Sequence, residues 1–397
     1  MTQRSRNMDK QTLLTLAQRY GTPLYVFDLD DFRLRLSQVK AAFGPDVTLC
    51  YSMKANPFLL RHLPPELERL EVCSPGELTV CRNVDADMSR VILSGVNKTR
   101  QNVRQAMEWG VGTFTAESAL HLDYLNEYAG EFGRVAPVLL RLTSDNQFGI
   151  DEPELRQLVA DRAKYPHLEF VGLHYFSGTQ KKRVSLIGRE LEKLEALLED
   201  LEAETGCCLP RLEYGAGLWI DYFGDDPEGS ELALLQEAAE PIRQMARQRQ
   251  LTVEMGRYYT APCGTYLTTV MDTKVNCGFA YAICDGGIHQ MNYDGQMKAM
   301  QVPELWVLNP AGEEPADWTL CGSLCTPGDV MVRRVELAGL DKGGILAFRR
   351  TGAYSICEGM ALLLSRDVPA VVLYDKANGP LLARAHIGLD DLNTPKA

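Results

Sequence analysis

The sequence has no apolar run approaching the ~18 residues that a bilayer-spanning helix needs, so no membrane association is expected. It has no surplus of positive charge either: 41 Lys and Arg stand against 53 Asp and Glu, a net charge of -12. A nucleic acid or an acidic lipid surface would have to overcome that mean field, so neither is expected as a partner. A small anionic ligand is not excluded, because a local pocket can reverse the field. Regular cysteine spacing is also missing. The 11 cysteines are scattered, with Cys207 and Cys208 adjacent and Cys321 and Cys325 the one close pair. No second pair completes a four-ligand zinc set, so no metal is expected, and a reduced cytoplasmic chain is the simplest reading. The opening MTQRSRNMDKQTL lacks the apolar core of a signal peptide, and Asp9 argues against a transit peptide. Low-complexity tracts and long linkers are absent as well.

What is present is a repeated unit. At 397 residues the chain has room for two to three domains of roughly 150 residues each. From Asp46 to about Gly256 a short β-branched run gives way to a polar or glycine turn and then to helical spacing. The runs begin at Val47, Arg69, Val91, Val111, Val135, Leu168, Arg211 and Leu251, which makes eight. Helical patterns lie between them, as at Glu117–Tyr128, Glu152–Arg162, Leu186–Thr205 and Pro227–Arg249. Eight alternating strand and helix signals predict an α/β chain built on a (β/α)8 TIM-like barrel. A doubly wound sheet is the alternative, but it would carry a glycine-rich loop after the first strand, and here that strand ends in Lys54. After Gly256 the texture turns to strands and Asp-Gly, Asn-Pro and Pro-Gly turns. The expected domains are therefore a barrel over 30–256 and a mostly β domain from 1–29 plus 257–397. The strand-like segment at Gly21 could pair with either.

Barrel chemistry collects at the C-terminal ends of the strands. Reading off those ends gives Lys54, Cys73-Ser74, Ser94, Glu117, Arg141, His174 with Thr179, Glu213 to Gly217, and Glu254 to Arg257. Each alone reads as ordinary structure; their coincidence at one rim carries the functional argument. A lysine at a barrel mouth is a natural covalent nucleophile, since burial and cationic neighbours lower its pKa. The Gly215–Gly217 turn and the amides at Gly256 and Arg257 suit a phosphate. Lysine, phosphate cradle and carboxylate together suggest pyridoxal 5'-phosphate, with Glu254 facing the pyridine nitrogen.

At this point the chain resembles the fold-III pyridoxal-phosphate-dependent decarboxylases, the diaminopimelate and ornithine decarboxylase family with an alanine racemase-like architecture. The resemblance covers nearly the whole chain. It runs through TPLYVFD at Thr22, YSMKANP at Tyr51, CSPGE at Cys73, NQFGI at Asn146, GLHYFSGTQ at Gly172, YGAGL at Tyr214 and EMGRYYTAPCG at Glu254. It continues through DTKVN at Asp272, CDGGIHQ at Cys284, CGSLCTPGD at Cys321 and GAYS at Gly352. The resemblance implies that Lys54 holds the cofactor and Glu254 meets its ring nitrogen. It puts Gly215, Ala216, Gly217, Gly256 and Arg257 at the phosphate, with Thr179 where serine is usual and Tyr354 nearby. Arg141 would support the surroundings of Lys54, and His174 and Phe176 would lie against the ring. Cys325 would serve the other subunit's site in a homodimer with shared active sites.

Departures from the family pattern bear on the substrate. Phe176 stands where a second histidine is usual, and an aromatic ring there cannot donate a hydrogen bond. Thr326 replaces the glutamate that follows the motif cysteine in diaminopimelate decarboxylases. Asn292 and Gln296 stand near their arginine and tyrosine, with Tyr293 and Asp294 beside them. Losing a charge-pairing group would cost that substrate ~2–5 kcal/mol. The expectation is therefore decarboxylation of an amino acid other than free diaminopimelate. A conjugate, citryl or carrier-protein-bound, of the kind used in siderophore or antibiotic biosynthesis, fits these departures. Diaminopimelate decarboxylation proper and amino-acid racemisation are the alternatives. Racemisation is disfavoured because a fold-III racemase has arginine where this chain has Glu254. A cofactor-holding barrel without activity is disfavoured by the β domain and by the retention of Lys54 and Cys325.

Overall fold

A computed structural model describes residues 8–396. Helix α1, Lys10–Tyr20, is capped by Asp9, whose carboxylate accepts from the Thr12 amide at 2.7 Å. The strand β1, Leu24–Asp28, follows and is buried throughout, and helix α2 covers Leu29–Phe43. The chain divides into two compact units. One takes the chain up to Arg35, Ile220–Glu228 and everything from Tyr259; the other takes Leu36–Trp219 and Gly229–Tyr258.

The second of these is a closed eight-stranded parallel barrel. Its strands are β2 (Thr48–Ser52), β3 (Leu67–Val72), β4 (Val91–Leu93), β5 (Thr113–Ala116), β6 (Ala136–Arg141), β7 (Leu168–Tyr175), β8 (Arg211–Gly215) and β9 (Gln250–Met255). The β9 strand closes on β2, with Cys50 opposite Glu254. Six of the crossovers are α-helices: α3 (Pro75–Asn83), α4 (Arg100–Glu108), α5 (Ala119–Glu131), α6 (Glu152–Ala160), α7 (Val184–Thr205) and α8 (Pro227–Gln248). Three of them start where a hydroxyl accepts from the amide three residues on: Ser74 from Glu77, Thr99 from Asn102 and Ser118 from His121. The crossover from β2 to β3 is instead a 3-10 turn over Pro57–His62. Pro57, Pro64 and Pro65 leave too little unbroken chain between them for an α-helix.

The other unit is a mostly β fold. Its strands are β10 (Gly264–Asn276), β11 (Phe279–Cys284), β12 (Leu305–Val307), β13 (Pro315–Cys321), β14 (Val330–Ala338), β15 (Ile345–Arg349), β16 (Ala370–Asp375) and β17 (Gly379–Arg384). They order as β14-β13-β11-β10-β1-β16-β17, with β15 pairing β10 and β12. The N-terminal strand, left open by the sequence, thus joins this sheet, antiparallel to β10 and parallel to β16. Leu13, Leu16 and Ala17 of α1 lie in one core with Leu24, Leu267, Ala347 and Val372. None of the eleven cysteines forms a disulfide. Among the described residues, no helix is long and apolar enough to cross a membrane.

Candidate active site

Lys54 stands on a rigid turn at the end of β2. The turn, Met53–Ala55, is closed by the Asn56 amide, which donates to the Met53 carbonyl at 3.0 Å. The Asn56 carbonyl in turn accepts from the buried Tyr51 hydroxyl at 2.6 Å. With Met53 and Ala55 buried on either side, Lys54 is the residue that projects. Its Nζ donates to the two oxygens of Glu71 at 2.9 and 3.2 Å and lies 3.8 Å from Glu254. The lysine side chain is 38% exposed whereas those of Glu71 and Glu254 are 3% and 7% exposed, so the cation faces outward over buried anions. The Cys73 thiol donates to Glu71 at 2.8 Å, and burial together with Glu71 pushes it up, keeping it a thiol.

Glu254, near the end of β9, lies beneath this lysine. It accepts from the Ser52 hydroxyl at 2.9 Å and lies 3.1 Å from His174 Nε2 on β7. Burial works to raise its carboxyl. The Lys54 ammonium, His174 and Ser52 outweigh burial and hold it well below the usual carboxylate range. Two polar atoms beside it have no partner: His174 Nδ1 and Glu213 Oε1.

Next to this cluster the backbone is bare. A Cβ on Gly217, which has φ +58°, would sit 2.1 Å from the Gly178 carbonyl. One on Gly256 would sit 2.6 Å from the Ala55 Cβ, and one on Gly215 would meet the Phe176 ring at 2.4 Å. Ala216 between the glycines is fully buried, while Thr179 is exposed and its hydroxyl accepts from Arg257 Nε at 3.4 Å. A buried ion pair anchors the loop bearing Thr179. Lys181 Nζ donates to Glu190 at 2.7 Å, and the Tyr214 and Ser177 hydroxyls each donate to the same carboxylate at 2.5 Å. The Lys181 amide donates to the Gly217 carbonyl at 2.8 Å, tying that loop to the glycine turn. Side-chain-free backbone between a threonine and an arginine fits a phosphate group, and a buried carboxylate beside a lysine fits a protonated pyridine and an aldehyde.

Arg141 is paired with Glu117 at 3.2 Å and stacks on Phe148, while the ion pair of Lys54 is with Glu71. The Glu117 amide donates to His121 Nδ1 at 3.2 Å. Burial, with some repulsion from Lys98, pushes His121 down to about 4, and burial pushes Lys98 down to about 8. Between pH 6.5 and about 4 the unfolded chain therefore binds the His121 proton that the folded chain refuses, and stability falls as the pH falls through that window. His121→Asn keeps an acceptor for the Glu117 amide without the titration. Its melting temperature should decline less steeply than the wild type's over that range in a thermal melt series; an unchanged slope would remove His121 from the acid response.

In the β unit, Cys325 is exposed on the loop after β13. Asp329 shapes that loop: its carboxylate accepts from the Leu324 amide at 2.7 Å and from the Ile288 amide at 2.9 Å. Cys325 and Thr326 border a cleft of about 1000 Å³ that is also lined by Lys274, Arg333 and Arg366. The remaining residues singled out in this unit lie elsewhere. Tyr293 is buried, donating to the Arg349 carbonyl at 2.5 Å and packing edge-on to Tyr222 and Phe223. Asn292 is exposed, with its carbonyl accepting from Ser355, and Gln296 bonds in both directions to Gln301. Asp294 is half-buried. Tyr354 adopts φ +64°, and its carbonyl accepts from the Cys357 and Glu358 amides.

A parallel barrel with a lysine, a glycine cradle and a buried carboxylate at its strand ends defines a cofactor-dependent lyase. Residues 29–261 match the family described as pyridoxal-dependent decarboxylase, pyridoxal binding domain, and the chain belongs to that family. It is a pyridoxal-phosphate-dependent carboxy-lyase, and family and fold imply that it binds the cofactor. The diaminopimelate decarboxylase of Mycobacterium tuberculosis is 31% identical over 96% of this chain and 92% of its own. The L-glutamyl-(acyl-carrier protein) decarboxylase of Niallia circulans is 26% identical over 94% and 93%. A crystal structure from Aquifex aeolicus is 27% identical, covers 96% of this chain and 93% of its own, and superposes with a TM-score of 0.85.

These similarities correct the substrate expected from the motif departures. Repeated, high-coverage likeness to diaminopimelate decarboxylases favours that activity over a conjugated or carrier-bound substrate and its siderophore or antibiotic setting. The physical reason is that cationic side chains beside Cys325 need not come from the positions of Thr326, Asn292 and Gln296. The cleft beside Cys325 carries cationic side chains from other positions, Lys274, Arg333 and Arg366. Sequence reasoning also passed over Glu71, Ser52 and Lys98. A signal for Glu71 existed: it lies two residues before Cys73 and so shares that residue's strand face.

Proposed function

We propose that this enzyme removes one α-carboxyl group from free diaminopimelate, giving lysine and carbon dioxide. Similarity to diaminopimelate decarboxylases over 86% and 96% of the chain supports the reading. Pyridoxal phosphate, when bound, withdraws electrons from the carbon that loses its carboxyl group. Lys54 holds the cofactor covalently and, when substrate arrives, moves protons at the substrate nitrogen. Glu254, kept ionised by Lys54, His174 and Ser52, faces the ring nitrogen and favours its protonated form. Gly215, Ala216, Gly217, Gly256, Arg257, Thr179 and Tyr354 bind the phosphate, and Phe176 and His174 flank the ring. Arg141 keeps Glu117 in place.

In this reading the enzyme is a homodimer, and Cys325 is offered to the partner subunit's site, where it returns a proton to the former carboxylate carbon. Lys274, Arg333 and Arg366 grip the distal carboxylate of the substrate. Eleven cysteines without a disulfide fit a reducing compartment such as the cytoplasm.

Carbon dioxide release over a panel of diaminopimelate, lysine, ornithine, arginine, glutamate and carrier-bound glutamate tests the substrate. Diaminopimelate should lead in kcat/KM by ~30-fold or more, the factor expected of a second charged contact worth ~2–5 kcal/mol. Turnover of another member of the panel with none of diaminopimelate would end this reading. For the shared site, Lys54→Ala and Cys325→Ala mixed after subunit exchange should regain about a quarter of wild-type activity, because random pairing leaves one intact site in half of the dimers. No recovery from dimers shown by mass to have exchanged would place Cys325 in its own subunit's site.

A further inference from the structure

Glu213, on β8 two residues before the glycine turn, is 2% exposed and points into the barrel. Side-chain polar atoms of Glu213, Glu254 and His174 all lie within 4.8 Å of one another. The charged and titratable groups facing Glu213 come from every neighbouring strand. They are Cys50 and Lys54 from β2 and its turn, Arg69 and Glu71 from β3, His174 from β7 and Glu254 from β9. Of the two cations, Lys54 is already engaged, since it bonds to Glu71 at 2.9 Å and lies 3.8 Å from Glu254. Arg69 turns toward the Ser89 carbonyl. Glu213 Oε1 has no hydrogen-bond partner. Two carboxylates this close, with one cation committed to the other, do not both ionise. On its far side Glu213 borders a cavity of about 90 Å³ lined by Arg69, Arg211, Gln250, Thr48 and Thr252. That is room for a few waters, at ~30 Å³ each.

We propose that Glu213 is a positioning residue: a carboxylic acid that keeps its proton, so that the floor of the site gains no further negative charge beside Glu254 and Glu71, and that exchanges this proton with water in the cavity at the opposite end of the barrel. The role rests on reading Glu254 as the carboxylate that meets the cofactor ring. Burial, with repulsion from Glu254 and Glu71, pushes Glu213 well above the usual carboxylate range. A second ionised carboxylate would compete with Glu254 for Lys54 and pull the lysine down from the rim. The same three residues have the donor atoms of a metal site, but a cation there would need Glu213 stripped of its proton.

Infrared spectra of the holoenzyme test the idea without any substrate. A carbonyl stretch of a protonated carboxylic acid should persist at pH 7.5 and vanish in Glu213→Gln. Thermal melts supply a second readout. The folded chain holds a proton that the unfolded chain releases above pH 4.5, so wild-type stability should fall relative to Glu213→Gln as pH rises. The ratio of their folding constants should change by up to ~tenfold per pH unit, the mark of one linked proton. A residue of purely structural role would give a pH-independent difference. Absence of any protonated carboxyl band from the wild type at pH 7.5 overturns the proposal, whatever the variant does. So does a flat stability difference, or zinc retained by the holoenzyme and lost in Glu213→Gln. Failure of the diaminopimelate reading would leave both readouts unchanged.

Discussion

Replacing Lys54 with alanine should lower decarboxylation by at least ~10³-fold, within the range for loss of a proton-transfer group. Two functions go at once: the covalent hold on the cofactor and the cation that neutralises Glu71 and Glu254. The cradle at Gly215–Gly217, Gly256 and Arg257 stays, so the variant should still bind cofactor reversibly. After borohydride reduction the wild-type mass should rise by that of one cofactor less its aldehyde oxygen, which leaves as water when the imine forms, and the variant's should not. Lys98 is the lysine that could deceive this test, because burial pushes it down to about 8 and Glu71 and Cys73 are among its electrostatic neighbours. Covalent cofactor on Lys98 in wild-type protein, or near-normal turnover in Lys54→Ala, would defeat the assignment.

Glu254→Gln is the second large effect. The substitution keeps the shape and an oxygen for the Ser52 hydroxyl, and removes the charge. Loss of a preorganised electrostatic partner in a buried site lowers kcat by ~10²–10³-fold. Cofactor affinity should change much less, because the phosphate contacts are elsewhere. A kcat loss below about fivefold would mean that the ring nitrogen does not depend on this carboxylate. Measuring kcat at saturating cofactor separates that outcome from simple cofactor loss.

Much of this was legible in the sequence. The period of strand and helix signals spelled the barrel, and Lys54, the glycine turn and Glu254 fell at its strand ends. The anions beneath Lys54 were harder to read. In Arg69-Leu70-Glu71-Val72 and Arg211-Leu212-Glu213 the alternation is that of a strand with one wet face. A closed barrel buries both faces, one under helices and one inside, so these charges point into the interior, where Glu71 and Glu213 are each 2% exposed. The first crossover lost its helix to prolines at 57, 64 and 65, a local signal that the repeat obscured. The substrate was not legible at Thr326, Asn292 or Gln296 alone: the cleft beside Cys325 draws on β10, β13, β14 and Arg366 together, and no single motif position reports that sum.

Asp329 has a consequence for how such enzymes change allegiance. Its two oxygens fasten the segment around Ile288 to the loop that carries Cys325, and neither Gly287 nor Gly322 has space for a Cβ against it, at 2.6 and 2.3 Å. The two segments form one splice unit. Retargeting by recombination among relatives must therefore transplant 284–289 and 321–329 as a cassette. A graft of either alone would arrive cut to fit a neighbour that is no longer there.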